Sequence, residues 1–282
     1  MSRMKFVRIV LSASLASALC LPLAAGAAGP AEGAWVALGG GLELGRFTLT
    51  GFGPPPAQVQ VLRVDPRRWE LKLHGLPSGE SGGYTAREWS RREGFAAAIN
   101  AGMYQEDYRT HSGYMQADGT VFSRGRNSYL STAAFDPVDP RDAPFRIFDL
   151  EDDPLDSVIS RYRRVVQNLR LVKQPGKNRW EPQESRWSEA ALGEDRQGRA
   201  LLIFSGTPLP LDRLIDALLA LPLEIVAAQH LEGGAQAQLF VAAGGEPLEL
   251  VGGYEGVFPA TDVNRPARPI PNVIGVRRRP VP

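Results

Sequence analysis

The 282-residue sequence has one cysteine, Cys20, and three histidines, His74, His111 and His230. Because that cysteine lies in the N-terminal segment, the rest of the chain can form no disulfide and offers no thiol nucleophile or cysteine metal site. Neither sign of charge is in excess: 32 basic residues face 31 acidic ones, a net charge of +1. A chain so nearly neutral has no electrostatic basis for binding nucleic acid. No HExxH, EF-hand or His/Cys ligand spacing occurs. Glu106, Asp107, His111 and Glu232 carry donor atoms, but not in a spacing that implies a metal site, so none is expected and no cofactor is implied. There is no GxSxG elbow, and Gly39-Gly40-Gly41 lacks the lysine and serine of a phosphate loop. Internal repeats are also missing.

Apolar runs are short everywhere except at the N-terminus. Arg3, Lys5 and Arg8 precede an apolar stretch from Ile9 to Leu23, and Ala25-Gly26-Ala27 follows. This is the order of a secretory signal peptide over residues 1–27. An uncleaved anchor would need a longer run, and Leu19 is too large for lipidation at Cys20. Removal of the segment takes the net charge from +1 to −2. It also leaves no membrane span, so the protein is expected to be periplasmic or secreted. Residues 28–40, rich in Gly and Ala, read as a flexible leader, and residues 279–282 as a frayed tail.

Glycine and proline are plentiful, at 30 and 23 residues, which favours short strands and many turns. Trp69, Leu71 and Leu73 alternate with Glu70, Lys72 and His74, the pattern of a strand with one face in the core. Thr85 and Glu88 stand three apart as a capping box for a short helix that Gly94 ends. Leu211, Leu214, Ile215, Leu218 and Leu219 form one apolar stripe, a helix stopped by Pro222. Asp118-Gly119 predicts a hairpin. The proline-rich stretch 136–164 reads as a surface excursion. The fold class is therefore α+β: a single domain over 41–278 with a mixed, largely antiparallel sheet and a few packed helices. The oligomeric state is not indicated.

Two stretches share one design. In Phe95–Gly113 a buried strand delivers Asn100, Ala101 and Gly102, then a polar loop ending in His111. In Ile225–Gly234 another delivers His230, Leu231, Glu232, Gly233 and Gly234. Glycine allows close backbone approach, and the polar residue before it is aimed by a rigid strand. Trp180 and Trp187, in a polar region, are the tryptophans best placed for a site wall.

The order of these motifs resembles the phosphodiester glycosidase family. Residues 98–104 (AINAGMY) resemble a family strand ending in Asn-x-Gly and an aromatic. Residues 111–119 (HSGYMQADG) resemble the strand and Asp-Gly turn that follow. Residues 165–176 carry Gln167 in a strand that leads to a glycine turn, and residues 189–204 pass through Asp-x-x-Gly to an apolar strand. Leu231–Gly234 stands where the family has Leu-Asp-Gly-Gly. Two departures are visible: Glu232 replaces the aspartate, and Glu189 lies where an arginine is usual. The resemblance implies hydrolysis of a sugar-1-phosphodiester or a related cell-envelope glycan linkage, with a carbohydrate or sugar-phosphate substrate. Glu232 is then the key carboxylate, with His111 and Asn100 as the other catalytic candidates. Gly102, Gln167, His230, Gly233 and Gly234 are the candidates for substrate binding. For His230 and Gln167 a purely structural role stands beside the functional one. The departures motivate a second reading, a non-catalytic periplasmic glycan-binding protein on the same fold.

Overall fold

The computed structural model describes residues 33–77, 80–253 and 266–280. The expected signal peptide lies outside them. Among the described residues no helix is long and apolar enough to cross a membrane.

Three sheets carry the fold. The largest has eight strands, in the order Trp35–Gly39, Leu42–Leu49, Ala57–Val64, Ala200–Pro210, Arg186–Asp195, Ile225–Gly233, Arg170–Lys173 and Lys177–Asn178. The second has five, in the order Thr120–Arg124, Tyr114–Ala117, Tyr162–Asn168, Ser131–Pro137 and Phe145–Asp149. The third also has five: Leu248–Val251, Gln238–Val241, Ala97–Asn100, Asn272–Arg278 and Trp69–Gly75. Neighbours are antiparallel at each of these pairings, for example Ala97–Asn100 against both Gln238–Val241 and Asn272–Arg278.

The inner faces of all three sheets meet in one core. Leu62, Leu192 and Leu202 come from the first sheet, Met115, Phe135 and Val166 from the second, and Leu71, Ile99 and Leu239 from the third. Burying each such side chain stabilises the fold by roughly 1.5–3 kcal/mol before entropy is counted. Outside, each sheet is covered by one helix. Leu211–Ala220 covers the first, and the stripe of Leu211, Leu214, Ile215 and Leu218 is buried there. Ala86–Glu93 seats Trp89 on the third, beside Phe95 and Phe240. Leu155–Arg161 places Val158 against Tyr162 and Val165 of the second. The capping box forms as its spacing predicts: Thr85 Oγ1 accepts from Glu88 N at 3.2 Å, and Glu88 Oε2 accepts from Thr85 N at 2.8 Å.

The α+β class and its single domain stand, but two stretches differ from expectation. Residues 35–39, assigned to the leader, form an edge strand whose Trp35 packs on Phe47 with ring centroids 5.4 Å apart. Within the supposed surface excursion at 136–164, Phe145 and Ile147 alternate inward as a strand, and a helix follows. Proline and charge on the outward positions masked that two-residue period.

The third sheet is packed tightly behind its functional end. A Cβ added at Gly275 would lie 2.3 Å from a ring carbon of Phe95, so this strand admits only glycine where the aromatic crosses it.

Candidate active site

Chemistry-bearing side chains collect where Ile225–Gly233 ends. Leu231 is an extra residue in the pairing with Arg186–Asp195: Ala191 faces His230 while Ala190 faces Glu232. Leu231 is fully buried in the core. The bulge re-aims the strand end. It leaves His230 and Glu232 beside Glu189, which lies opposite Gly233.

Glu189 and His230 form a buried pair. His230 Nδ1 and Glu189 Oε1 are 2.6 Å apart. The other oxygen of Glu189 accepts from Trp187 Nε1 at 3.0 Å. Burial alone would push the imidazole down, but the Glu189 carboxylate, with Glu232 beyond it, holds His230 above its usual value. Burial raises Glu189 as well, against the pull of His230 and the Trp187 donor. Trp187 can pack here only because Gly233 has no side chain: a Cβ there would come within 2.5 Å of the indole.

Glu232 is half-buried, and one oxygen accepts from Gly233 N at 3.1 Å. Burial raises its pKa, and the neighbouring His230 partly offsets the rise. The carboxylate lines a cleft of about 280 Å³ with Tyr104, Gln105, Glu106, Tyr108 and Gln236. Tyr104 and Tyr108 stand with ring centroids 5.5 Å apart, an aromatic wall of the kind that receives sugar rings. Their loop is closed by the Tyr104–His111 bridge and by Asp107, which accepts from the N–H groups of Arg109 and Thr110. The charge of Glu232 also reaches Tyr129, whose phenol is raised first by its own burial.

The two strand ends thus meet, but not all predicted residues share the cleft. Glu232 lines it; His230 lies behind with Glu189. Asn100 is buried, and its Oδ1 accepts from Gln238 N at 3.1 Å, tying the strand end to the chain just past Gly234. His111 is also buried, and its Nε2 lies 2.8 Å from the carbonyl of Gln167. A carbonyl only accepts, so Nε2 carries the proton of the neutral ring. Desolvation lowers this histidine to about 4, despite the carbonyls of Gln167 and Met103. Gln167 is spent inside the protein: its oxygen accepts from Tyr114 N, and its amide donates to Tyr129 O at 2.7 Å. Gly234 is buried and opens the single 3-10 turn that follows the strand.

Two residues outside the predicted set hold the backbone that follows Asn100. Asn272 Oδ1 accepts from the N–H groups of Ala101 and Gly102, at 3.2 and 3.1 Å. Asn168 Nδ2 donates to Ala101 O at 2.9 Å. Gly102 is wedged so closely that an added Cβ would lie 2.3 Å from Asn168 Oδ1 and 2.5 Å from His111 Cε1. Asn100 Nδ2, His111 Nδ1, Asn168 Oδ1 and Asn272 Nδ2 are buried without hydrogen-bond partners among the described residues. Each such atom costs about 1–3 kcal/mol, and a concentration of them is a mark of functional sites. Among the described residues no group of three or more His, Cys, Asp or Glu side chains could hold a metal ion.

A family model described as phosphodiester glycosidase matches residues 93–277, from the helix before Asn100 to the last strand. No curated protein matches the sequence. Among solved structures, the fold is similar to the catalytic domain of zebrafish N-acetylglucosamine-1-phosphodiester alpha-N-acetylglucosaminidase, which is described as auto-inhibited by its pro-peptide. That similarity has a TM-score of 0.59 at 16% identity, over 84% of each chain. A hypothetical protein from Synechocystis is similar with a TM-score of 0.55 at 16% identity, over 85% of this chain and 62% of that one. At such identity the likeness is one of fold.

Proposed function

Because the chain belongs to the phosphodiester glycosidase family, we propose that it is an exported hydrolase of a sugar-1-phosphodiester or a related cell-envelope glycan linkage. The observation that carries this reading is Glu232 in the lining of an aromatic-walled cleft, backed by the buried His230–Glu189 pair. The zebrafish neighbour's name makes diesters of N-acetylglucosamine-1-phosphate the first class to test.

Cleavage breaks the bond between the anomeric carbon and a phosphate oxygen. Its transition state resembles an oxocarbenium ion. The electron pair leaves with the phosphate, which is stable as an anion and needs little protonation. Water supplies the new oxygen, so the products are a free sugar and a phosphate monoester. Glu232 stabilises the positive charge at the anomeric carbon or takes the proton of the attacking water. His230, held by Glu189 and raised above its usual pKa by the neighbouring carboxylates, lies behind that carboxylate. Asn100 and His111 act from below, Asn100 by joining the two strand ends and His111 by seating Gly102 and the Tyr104 loop.

Purified protein is expected to release free sugar from at least one member of a panel of α- and β-linked sugar-1-phosphodiesters. Binding without turnover across the panel would shift the assignment to a non-catalytic glycan-binding protein. The observation that favours this second reading is Glu189 itself: the family resemblance places an arginine here, able to grip phosphate by a bidentate contact, and this chain has a carboxylate. Export is checked by fractionation, with the protein expected in the periplasm or medium and lacking residues 1–27. Full-length protein confined to the cytoplasm would overturn it.

A further inference from the structure

Large hydrophobic side chains are exposed at only two places among the described residues, Tyr108 at 58% and Val138 at 54%. Val138 belongs to a proline-lined groove, whereas Tyr108 lines the Glu232 cleft. The backbone is strained to hold the tyrosine there. Tyr108 has φ +54°, in the left-handed region where a Cβ crowds the following carbonyl oxygen. Glycine would take this conformation freely. The loop holds the strain in place: Tyr108 N donates to Gln105 O at 3.0 Å, and Gln105 N donates to Thr110 O at 2.9 Å. Asp107 accepts from Arg109 N and Thr110 N, and Arg109 Nη2 ties the loop to Pro77 O at 3.1 Å. A strained residue that its surroundings fix in a cleft wall points to a task for its side chain.

Tyr104 and Tyr108 do not form one platform. Tyr104 is half-buried and bridged through its backbone to His111, while Tyr108 is mostly in solvent. Their rings are tilted by 48°, so a single sugar ring cannot lie flat on both. Each suits a ring of its own. The cleft is lined by two phenols, two amides (Gln105 and Gln236) and two carboxylates (Glu106 and Glu232), with no lysine, arginine or histidine among its described lining residues. Such a lining repels a phosphodiester anion and suits hydroxyl groups, which donate to carboxylates and exchange hydrogen bonds with amides. The phosphate of a bound diester therefore points away from Tyr108. What runs on towards Tyr108 is joined to the reacting sugar through one of its other hydroxyls.

We infer that Tyr108 is the platform for a second sugar ring on the glycan side of the scissile bond, so that the substrate is an oligosaccharide-1-phosphodiester. This rests on the reading of Glu232 as the residue at the anomeric carbon. Water still supplies the oxygen at that carbon and the phosphate still departs as a monoester. The glycosidic bond to the second sugar is untouched, and the sugar product is at least a disaccharide.

The test compares two methyl phosphodiesters, each made as both anomers. One carries N-acetylglucosamine-1-phosphate, and the other the disaccharide-1-phosphate with a further N-acetylglucosamine. In the wild type the disaccharide diester has the lower KM. Tyr108→Gly removes the ring and takes the same backbone without strain. It raises the KM of the disaccharide diester relative to the monosaccharide one about tenfold, the equivalent of about 1.4 kcal/mol, and melts no lower than the wild type. Tyr108→Phe keeps an aromatic face and the wild-type preference. A wild type without preference, or a Tyr108→Gly variant that shifts both KM values equally, overturns the subsite, while hydrolysis of either diester leaves the hydrolase reading standing. A loss that comes with a lower melting temperature also overturns it, because Tyr108 then holds the loop and not a sugar. If the wild type turns over neither, calorimetric binding of the same pair decides: tighter binding of the disaccharide diester that Tyr108→Gly abolishes supports the subsite, and equal binding or none overturns it.

Discussion

Replacing Glu232 by glutamine is expected to lower kcat/KM on any diester the protein hydrolyses by about 10²–10⁴-fold, the range for removing a positioned acid, base or charge stabiliser. The loss should fall on kcat, because the carboxylate acts on charge that develops only in the transition state. Folding should survive, since a glutamine oxygen can still accept from Gly233 N as Glu232 does at 3.1 Å. The pH profile supplies an independent check. Burial raises the Glu232 carboxyl above the ordinary 4.5, with His230 opposing. The ionised form is the active one, so the acid limb of kcat should lie above that value and vanish in the variant. A variant that keeps kcat within tenfold of wild type, with the limb unmoved, would remove Glu232 from the chemistry.

The neighbouring Glu189 shows what a sequence can and cannot convey about such a site. Both strand ends were legible, because a short apolar run, a polar residue and a glycine are local signals. The helix 211–220 and the capping box at Thr85 were legible for the same reason, their periods lying within one turn or two. The pairing of Glu189 with His230 spans 41 positions. It depends on the bulge at Leu231, which shifts the register by one residue and which no local period announces. From the sequence, Glu189 was only a departure where a cation was expected; its contact with His230 shows how the chain accommodates that carboxylate. Asn168 and Asn272 were silent likewise. They act through side chains that grip the backbone of Ala101 and Gly102, and only the assembled second and third sheets bring them there. The division into three sheets was hidden by the same physics, since antiparallel strands carry one alternation whichever partner they take.

Acidification should destabilise the fold through His111, independently of catalysis. In the folded protein desolvation holds this histidine at about 4, with the carbonyls of Gln167 and Met103 opposing, whereas in the unfolded chain it has the ordinary value of 6.5. Below pH 6.5 the unfolded chain takes up a proton that the folded one refuses, so stability present above 6.5 is lost as pH falls towards 4. At about 1.36 kcal/mol per unit, the loss approaches about 3 kcal/mol, a large part of the roughly 5–15 kcal/mol typical of a domain. Other groups move the opposite way. Glu189, Glu194 and Glu232 are raised by burial and His230 is raised by its carboxylate partners, so each favours the folded state as pH falls. The measurement must therefore be a difference between proteins. In His111→Gln the amide can still donate to the Gln167 carbonyl, but nothing titrates. Urea unfolding at pH 7 and pH 4 is expected to show the wild type losing about 3 kcal/mol more than the variant; equal losses would mean that His111 is not held neutral. Because its ring packs on Gly102 and its backbone bridges to Tyr104, protonation should also loosen the loop bearing the aromatic wall. The wild type should then lose substrate affinity on the acid side before it unfolds, and the variant should not.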